Sequence, residues 1–312
     1  MKTLICGGLI FACFLPGAFA GSIQLGSIQG QDGWSGGSSG AISGSVDQGV
    51  TYSAAYQGSQ SLRVSNLGHN GAFGGWVFGP GLNPAAGQPS SGATADVLAM
   101  TLFFRSVSGI ADGSNLEIDL GNAAGDDRTT FTAITNFADA DGGLTLRAAE
   151  TDAAGDFYPT NLLNDHLTRA TWHRLDIVAY FLDGTANDYF QIFLDDPTLS
   201  SPIGSPNTGL DRWGTFEPYN ARLGGTYNQA SRLFLRSGAP ASGYGSFSDS
   251  SPRGFYFDNV SYRTWNSNSP GQILASYSTG FEDPFAAPEP GGISLFAVGL
   301  GALWCGRRYR RG

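Results

Sequence analysis

The sequence predicts an all-β protein: a single β-sandwich of jelly-roll type, flanked by an N-terminal signal peptide and a short C-terminal transmembrane helix. Three observations predict it. Short alternating or apolar runs recur from residue 21 to residue 287, with no long 3.6-residue periodicity among them. Gly, Asp, Asn, Ser and Pro separate these runs, and glycine alone supplies 46 of the 312 residues. Each chain end carries an uncharged apolar run of a different character. Many short strands without intervening helices build sandwiches and jelly rolls. Hydrophobic residues at 41% and aromatics at 12% supply a sizeable core and exclude a disordered chain. Glycine has no three-residue period, which excludes collagen.

The first element is residues 1–20, read as a secretory signal peptide. Lys2 is its positive end, Leu4 to Leu15 its apolar stretch, and Pro16-Gly17 the break. Ala18 and Ala20 form an A-x-A cleavage site, so the mature chain starts at Gly21. Candidate strands then follow at 61–65, 75–78, 98–105, 115–120, 129–135, 143–148, 172–182, 188–195, 232–236 and 254–262. The clearest pair is a hairpin. Leu175, Ile177, Ala179 and Phe181 share one face of its first strand, and Val178, Tyr180 and Leu182 lie on the other. The segment 183–187 turns the chain, and the return strand alternates Phe190, Ile192 and Leu194 with Tyr189, Gln191 and Phe193. Apolar residues on both faces place this pair centrally in a sheet. No linker or repeat divides residues 21–287, so they form one domain.

The last element is residues 288–312. Pro288, Glu289 and Pro290 precede an uncharged run from Gly291 to Gly306, and Arg307, Arg308, Arg310 and Arg311 follow it. A helix over that run spans roughly 24 Å. Snorkelling arginines make up the few ångströms missing from a hydrocarbon core. The positive-inside rule puts the arginines in the cytoplasm. Cys6, Cys13 and Cys305, the only cysteines, all fall in these end segments, so the domain has no disulfide framework. Net charge is -9, but residues 21–287 hold 12 arginines against 25 acids, a charge of -13. Lys2 is the only lysine. Such an acidic domain is no nucleic-acid binder.

The three-part tail resembles the PEP-CTERM sorting signal of exosortase systems, on Pro288-Glu289-Pro290, the run Ile293 to Trp304 and the basic end. The resemblance implies export through the Sec machinery of a Gram-negative bacterium and a transient hold in the inner membrane. Cleavage by an exosortase near the Pro-Glu-Pro motif then releases the protein to the cell surface or the extracellular matrix. A permanent single-pass anchor is the alternative. Four phrases of the domain resemble concanavalin A-like and carbohydrate-module jelly rolls: Gly26 to Trp34, Gly58 to Val64, Trp172 to Leu175 and Phe255 to Val260.

Candidate sites are few. Trp34, Trp76, Trp213 and Trp265 lie in Gly-, Ser- and Asn-rich surroundings and are candidate glycan contacts by stacking. Asp258, in the closing "F-D-N-V" phrase, matches a position that holds structural Ca²⁺ in similar jelly rolls. Glu282 and Asp283 would join it if the C-terminal strand returns to that edge. Glu117 to Asn122 resembles the E-x-D-x-x-E signature of laminarinase-type glycoside hydrolases, but Asn122 replaces the second Glu and cannot shuttle a proton. Tyr227-Asn228-Gln229 and Gln191-Ile192-Phe193 resemble fragments of alginate lyases, with Phe193 in the place of a His. The three histidines, His69, His166 and His173, have no zinc-ligand spacing.

The expected function follows. It is an exported, exosortase-sorted surface or matrix protein with a non-catalytic jelly roll, structural, adhesive or glycan-binding. No catalytic residue is assigned. Extracellular polysaccharide is the expected partner, and Ca²⁺ the only candidate cofactor. The alternative is a carbohydrate-active enzyme, a glycoside hydrolase or polysaccharide lyase, on the same fold.

Overall fold

The computed structural model describes residues 23–36, 48–64, 76–122, 129–137, 142–222, 229–237 and 253–282. Ala18, Ala20 and Gly21 of the signal-cleavage site lie outside them. So do the sorting residues Pro288, Glu289, Pro290, Arg307, Arg308, Arg310 and Arg311. Among the described residues, no helix is long and apolar enough to cross a membrane.

The first half of the chain forms β1 (Gly26–Ser27), β2 (Ser35–Gly36), β3 (Gln48–Thr51), β4 (Ser61–Val64), β5 (Trp76–Phe78), β6 (Ala86–Gly87), β7 (Val97–Ser106), β8 (Ser114–Gly121) and β9 (Phe131–Asn136). The second half forms β10 (Leu144–Thr151), β11 (Phe157–Leu167), β12 (His173–Tyr180), β13 (Tyr189–Leu194), β14 (Trp213–Gly214), α1 (Glu217–Arg222), β15 (Gln229–Ala230), β16 (Arg232–Ser237), β17 (Phe255–Trp265) and β18 (Ile273–Thr279). All ten strands expected from the sequence are present. Among the described residues, β12 pairs with β7 and β13 inside a nine-stranded sheet ordered β1-β3-β4-β17-β7-β12-β13-β14, with β18 also on β17. A seven-stranded sheet runs β11-β10-β9-β8-β16-β5-β2. The named ladders of both are antiparallel.

Period-two alternation explains how the two sheets become one sandwich. Leu98, Met100, Leu102 and Phe104 of β7 point inward, as do Leu175, Ile177 and Ala179 of β12 and Phe255, Phe257 and Tyr262 of β17. Leu116, Ile118 and Leu120 of β8 and Leu233 and Leu235 of β16 join the same buried cluster from the other sheet. Each fully buried large side chain contributes about 1.5–3 kcal/mol. The outer face of the nine-stranded sheet carries a second, smaller cluster of Val97, Ala99, Val178 and Phe193. Both faces of the β12–β13 pair are therefore covered, as its sequence implies.

The closing strands pin a loop. Asp258 accepts from the N–H groups of Tyr56 at 2.7 Å and Gln57 at 3.0 Å. Glu282 accepts from Ser59 N at 2.8 Å, Ser59 Oγ at 2.9 Å and Gln60 N at 3.0 Å. Gly58 has φ +70°, and a Cβ there would fall 2.1 Å from Glu282 Oε1. Glycine is what lets the loop approach the carboxylate.

Candidate functional site

At one end of the sandwich, three connections frame a cleft of about 650 Å³. They are the β10–β11 turn, the β12–β13 hairpin tip and the loop running into β14. Each is braced by its own polar chemistry. Asp152 Oδ1 accepts from Ala154 N and Asp156 N, both at 2.9 Å, and closes the first turn. Tyr158 Oη donates to Asp152 Oδ2 at 3.1 Å. The Asp156 N–H and that phenol hold the Asp152 carboxyl below its ordinary range. In the hairpin tip, Leu182 N donates to Asp188 Oδ1 at 2.7 Å, and Asn187 Nδ2 donates to Asp183 O at 2.7 Å. In the third connection, the indole of Trp213 donates to Ile203 O at 2.8 Å.

Asp152 shares the cleft lining with two further carboxyl groups, Glu150 and Asp188, which sit under very different conditions. Glu150, at the end of β10, is 3% exposed. It accepts from Ser205 Oγ at 2.5 Å, Asn207 Nδ2 at 2.8 Å and Gly214 N at 3.2 Å. A carboxylate has about four acceptor positions, so three bonds leave one for a ligand hydroxyl or water. Asp188 is 4% exposed, and burial pushes its pKa up to about 7, helped by the negative charge of Glu217. Glu217 is itself buried at the start of α1 and takes a hydrogen bond from Gln88 Nε2 at 3.2 Å. The cleft thus pairs a carboxylic acid that keeps its proton to neutral pH with a fixed carboxylate.

The walls are amphipathic. Tyr158, Leu182 and Leu210 are 44%, 39% and 47% exposed at the rim. The Arg212 guanidinium lies 4.8 Å over the ring of Tyr189, which stacks on Tyr180 at 4.7 Å. Apolar rims around a few convergent polar groups are the usual build of a small-ligand or sugar site.

The structure places the sequence-derived candidates elsewhere. Trp34 is 1% exposed and Trp213 0%, both inside the core, so they offer no surface for glycan stacking. Trp34 instead donates from Nε1 to Tyr277 Oη at 2.7 Å. Trp265 is half-buried on the outer face of the nine-stranded sheet, where Arg263 lies 5.5 Å from its ring. The Trp76 side chain lies outside the described residues. Glu117 and Asp119 are buried on the outer face of the seven-stranded sheet. There Arg236 Nη1 meets Glu117 Oε2 at 3.3 Å, and Thr132 N donates to Asp119 at 3.2 Å. Phe193 packs in the smaller apolar cluster. His173 braces a strand end between Asp195 Oδ2 at 2.8 Å and Thr168 O at 3.0 Å. Among the described residues Asp258 takes N–H donors only, and burial raises its pKa to about 6. Among the described residues, no three His, Cys, Asp or Glu side chains converge on a metal position.

Sequence reading missed the cleft because its residues come from three distant connections. Its signals were present only as turn chemistry: the Asp183–Asp188 segment reads as a solvated turn until the fold buries Asp188.

No protein-family model and no curated protein matches the chain. Among solved structures, the chain is similar to a conserved carbohydrate esterase from Shiga toxin-encoding bacteriophage phi24B, at 11% identity and TM-score 0.41, covering 76% of this chain and 91% of that one. It is similar to the CBM2 module of Lactobacillus casei BL23 phage J-1 evolved Dit, at 11% identity and TM-score 0.40, covering 83% and 96%. It is also similar to an alginate lyase from Pseudomonas aeruginosa, at 11% identity and TM-score 0.37, covering 67% and 82%. These neighbours correct one expectation: an esterase and a lyase stand among them, so the domain is not assigned as non-catalytic. At such scores the likeness carries no residue, ligand or reaction to this chain.

Proposed function

We propose that the protein is a carbohydrate-active enzyme that hydrolyses glycosidic bonds in the end cleft. The observation that carries this reading is the pairing of Asp188, protonated to about pH 7, with the immobilised Glu150 in one amphipathic cleft. Glycosidic cleavage needs one carboxyl as acid and another as base or nucleophile. In this reading Asp188 protonates the leaving oxygen, and Glu150 serves the water or the anomeric carbon through its remaining acceptor position. Tyr158 and Leu210 shield the sugar from bulk water, and Arg212 and Asn207 orient its hydroxyls. The test is incubation of the full chain with a panel including laminarin and alginate. New reducing ends without unsaturated uronate are the expected products. Unsaturated uronate would assign a lyase, and no turnover across the panel would remove the enzymatic reading.

Two proposals concern the ends and the loop clamp. Residues 1–20 direct Sec export, and residues 288–312 are a sorting signal cut near Pro288-Glu289-Pro290. The extracellular form is then expected to have an intact mass lacking Trp304 and Arg311; a mass that includes both makes the tail a permanent anchor. Asp258 and Glu282 form a candidate structural Ca²⁺ pair, supported by the return of β18 to β17, which brings Glu282 close enough to raise the Asp258 pKa. A melting temperature higher in excess Ca²⁺ than in chelator is expected. Equal values leave the two carboxylates as loop clamps.

A further inference from the structure

The outer face of the nine-stranded sheet carries an arrangement that the end cleft does not use. The ladder registers put Arg63 of β4, Tyr256 of β17 and Arg105 of β7 in one row across three strands. The next row holds Asp258, Phe103 and Arg174. The inward neighbours of these residues, Leu62, Phe104, Leu175 and Phe257, are in the core, so the rows face outward. No hydrogen bond or ion pair to a described residue fixes the half-buried Arg105, and its Nε is buried without a partner. Arg174 differs, because Asp176 binds it twice, at 2.7 and 2.9 Å.

An aromatic shelf stands over these rows. Tyr56, 41% exposed, stacks on Phe103 with ring centroids 3.9 Å apart and 16° between planes. Trp172 meets its edge at 6.1 Å. The loop carrying Tyr56 is held by the N–H bonds to Asp258 and Glu282 already described, so the shelf is in place before anything binds. Exposed aromatic faces stack on the C–H faces of pyranose rings. Arginines beside them offer planar forks that match carboxylate or sulfate groups. In a domain of net charge -13, cations gathered beside such a shelf complement a polyanion that the rest of the surface repels.

We propose that this face binds an anionic polysaccharide, with Arg63 and Arg105 gripping its carboxylate or sulfate groups and Tyr56 and Trp172 stacking on its rings. The site is separate from the end cleft: Arg174 and Tyr180 mark the two ends of β12, roughly 20 Å apart at the rise of an extended strand. It does not rest on the hydrolytic reading.

Affinity electrophoresis of the full chain tests it, with polygalacturonate, heparin or neutral laminarin cast in native gels. Retardation by polygalacturonate or heparin is expected and fades as salt rises. Retardation by polygalacturonate shows that carboxylate suffices, and retardation by heparin alone, whose chain carries both groups, shows that sulfate is required. Arg105→Ala, which loses a charge-assisted contact, and Tyr56→Ala, which loses a stacking face, each weaken retardation at least about tenfold. Arg105→Lys weakens it less. Arg222→Ala, which removes an exposed charge paired with Asp156 elsewhere, leaves it unchanged. Equal retardation by laminarin, no retardation by either polyanion, or wild-type retardation of both Arg105→Ala and the exposed Tyr56→Ala would overturn the proposal.

Discussion

Asp188→Asn is expected to abolish turnover while leaving the fold as stable as before, or more so above neutral pH. Loss of a general acid costs about 10²–10⁴ in rate. Asparagine keeps an oxygen for Leu182 N–H, so the hairpin tip stays closed. The stability side follows from linkage. An unfolded Asp188 titrates near 3.8, whereas burial moves the folded group to about 7. Between those values the folded chain holds a proton that the unfolded chain has released. Stability therefore falls as pH rises through that window, and the penalty is complete above pH 7. Its size is on the order of a few kcal/mol, and the amide does not incur it. Wild-type activity is expected to fall above about pH 7 as Asp188 loses its proton. The checks are reducing-end assays from pH 5 to 9 and thermal melts at pH 5 and pH 8. Full turnover in Asp188→Asn removes this residue from the chemistry. A variant that melts lower at both pH values makes Asp188 a hairpin brace instead.

That contrast separates what was legible in the sequence from what was not. Alternation in Leu98 to Phe104, Leu175 to Ala179 and Phe255 to Tyr262 is a local pattern, and it places the central strands correctly. Strand β11 escaped because Pro159 and a polar composition read as loop. As an edge strand that among the described residues pairs with β10 alone, it tolerates the proline's missing N–H. Strand β18 escaped for a similar reason: among the described residues it pairs with β17 alone, and Ile273 is 50% exposed, so no buried face imposes a pattern. The site is less legible than the fold. Glu150, Asp188 and Tyr158 become a cleft only when three connections meet, and no spacing along the chain encodes that meeting. Burial likewise decides between two tryptophans with similar neighbours, and Trp172, passed over as part of a strand phrase, is the one set beside Tyr56.

Trp213→Ala carries the largest stability effect expected in this protein. The side chain is 0% exposed, sits in the main core cluster and gives its only donor to Ile203 O at 2.8 Å. Truncation removes the buried ring, leaves a cavity and strips the half-buried Ile203 carbonyl of its indole partner. Losing the ring costs about 3–5 kcal/mol, and losing the indole hydrogen bond adds about 0.5–1.5 kcal/mol. In a domain of this size each kcal/mol is worth about 2–4 °C, so a drop of at least about 6 °C in Tm is expected. The effect extends to the cleft. Trp213 pairs with Phe190 across β13–β14, and its neighbour Gly214 donates to Glu150 Oε2 at 3.2 Å. Loosening β14 therefore frees Glu150 as well, and turnover falls along with stability. Trp213→Phe keeps most of the volume and loses only the indole donor, so it is expected to recover most of the Tm. Trp265→Ala, at a half-exposed position on the outer face, is expected to cost little. If Trp213 instead stacked a sugar from the surface, Trp213→Ala would weaken glycan binding with an unchanged Tm, and a melting curve beside a binding isotherm decides between the two.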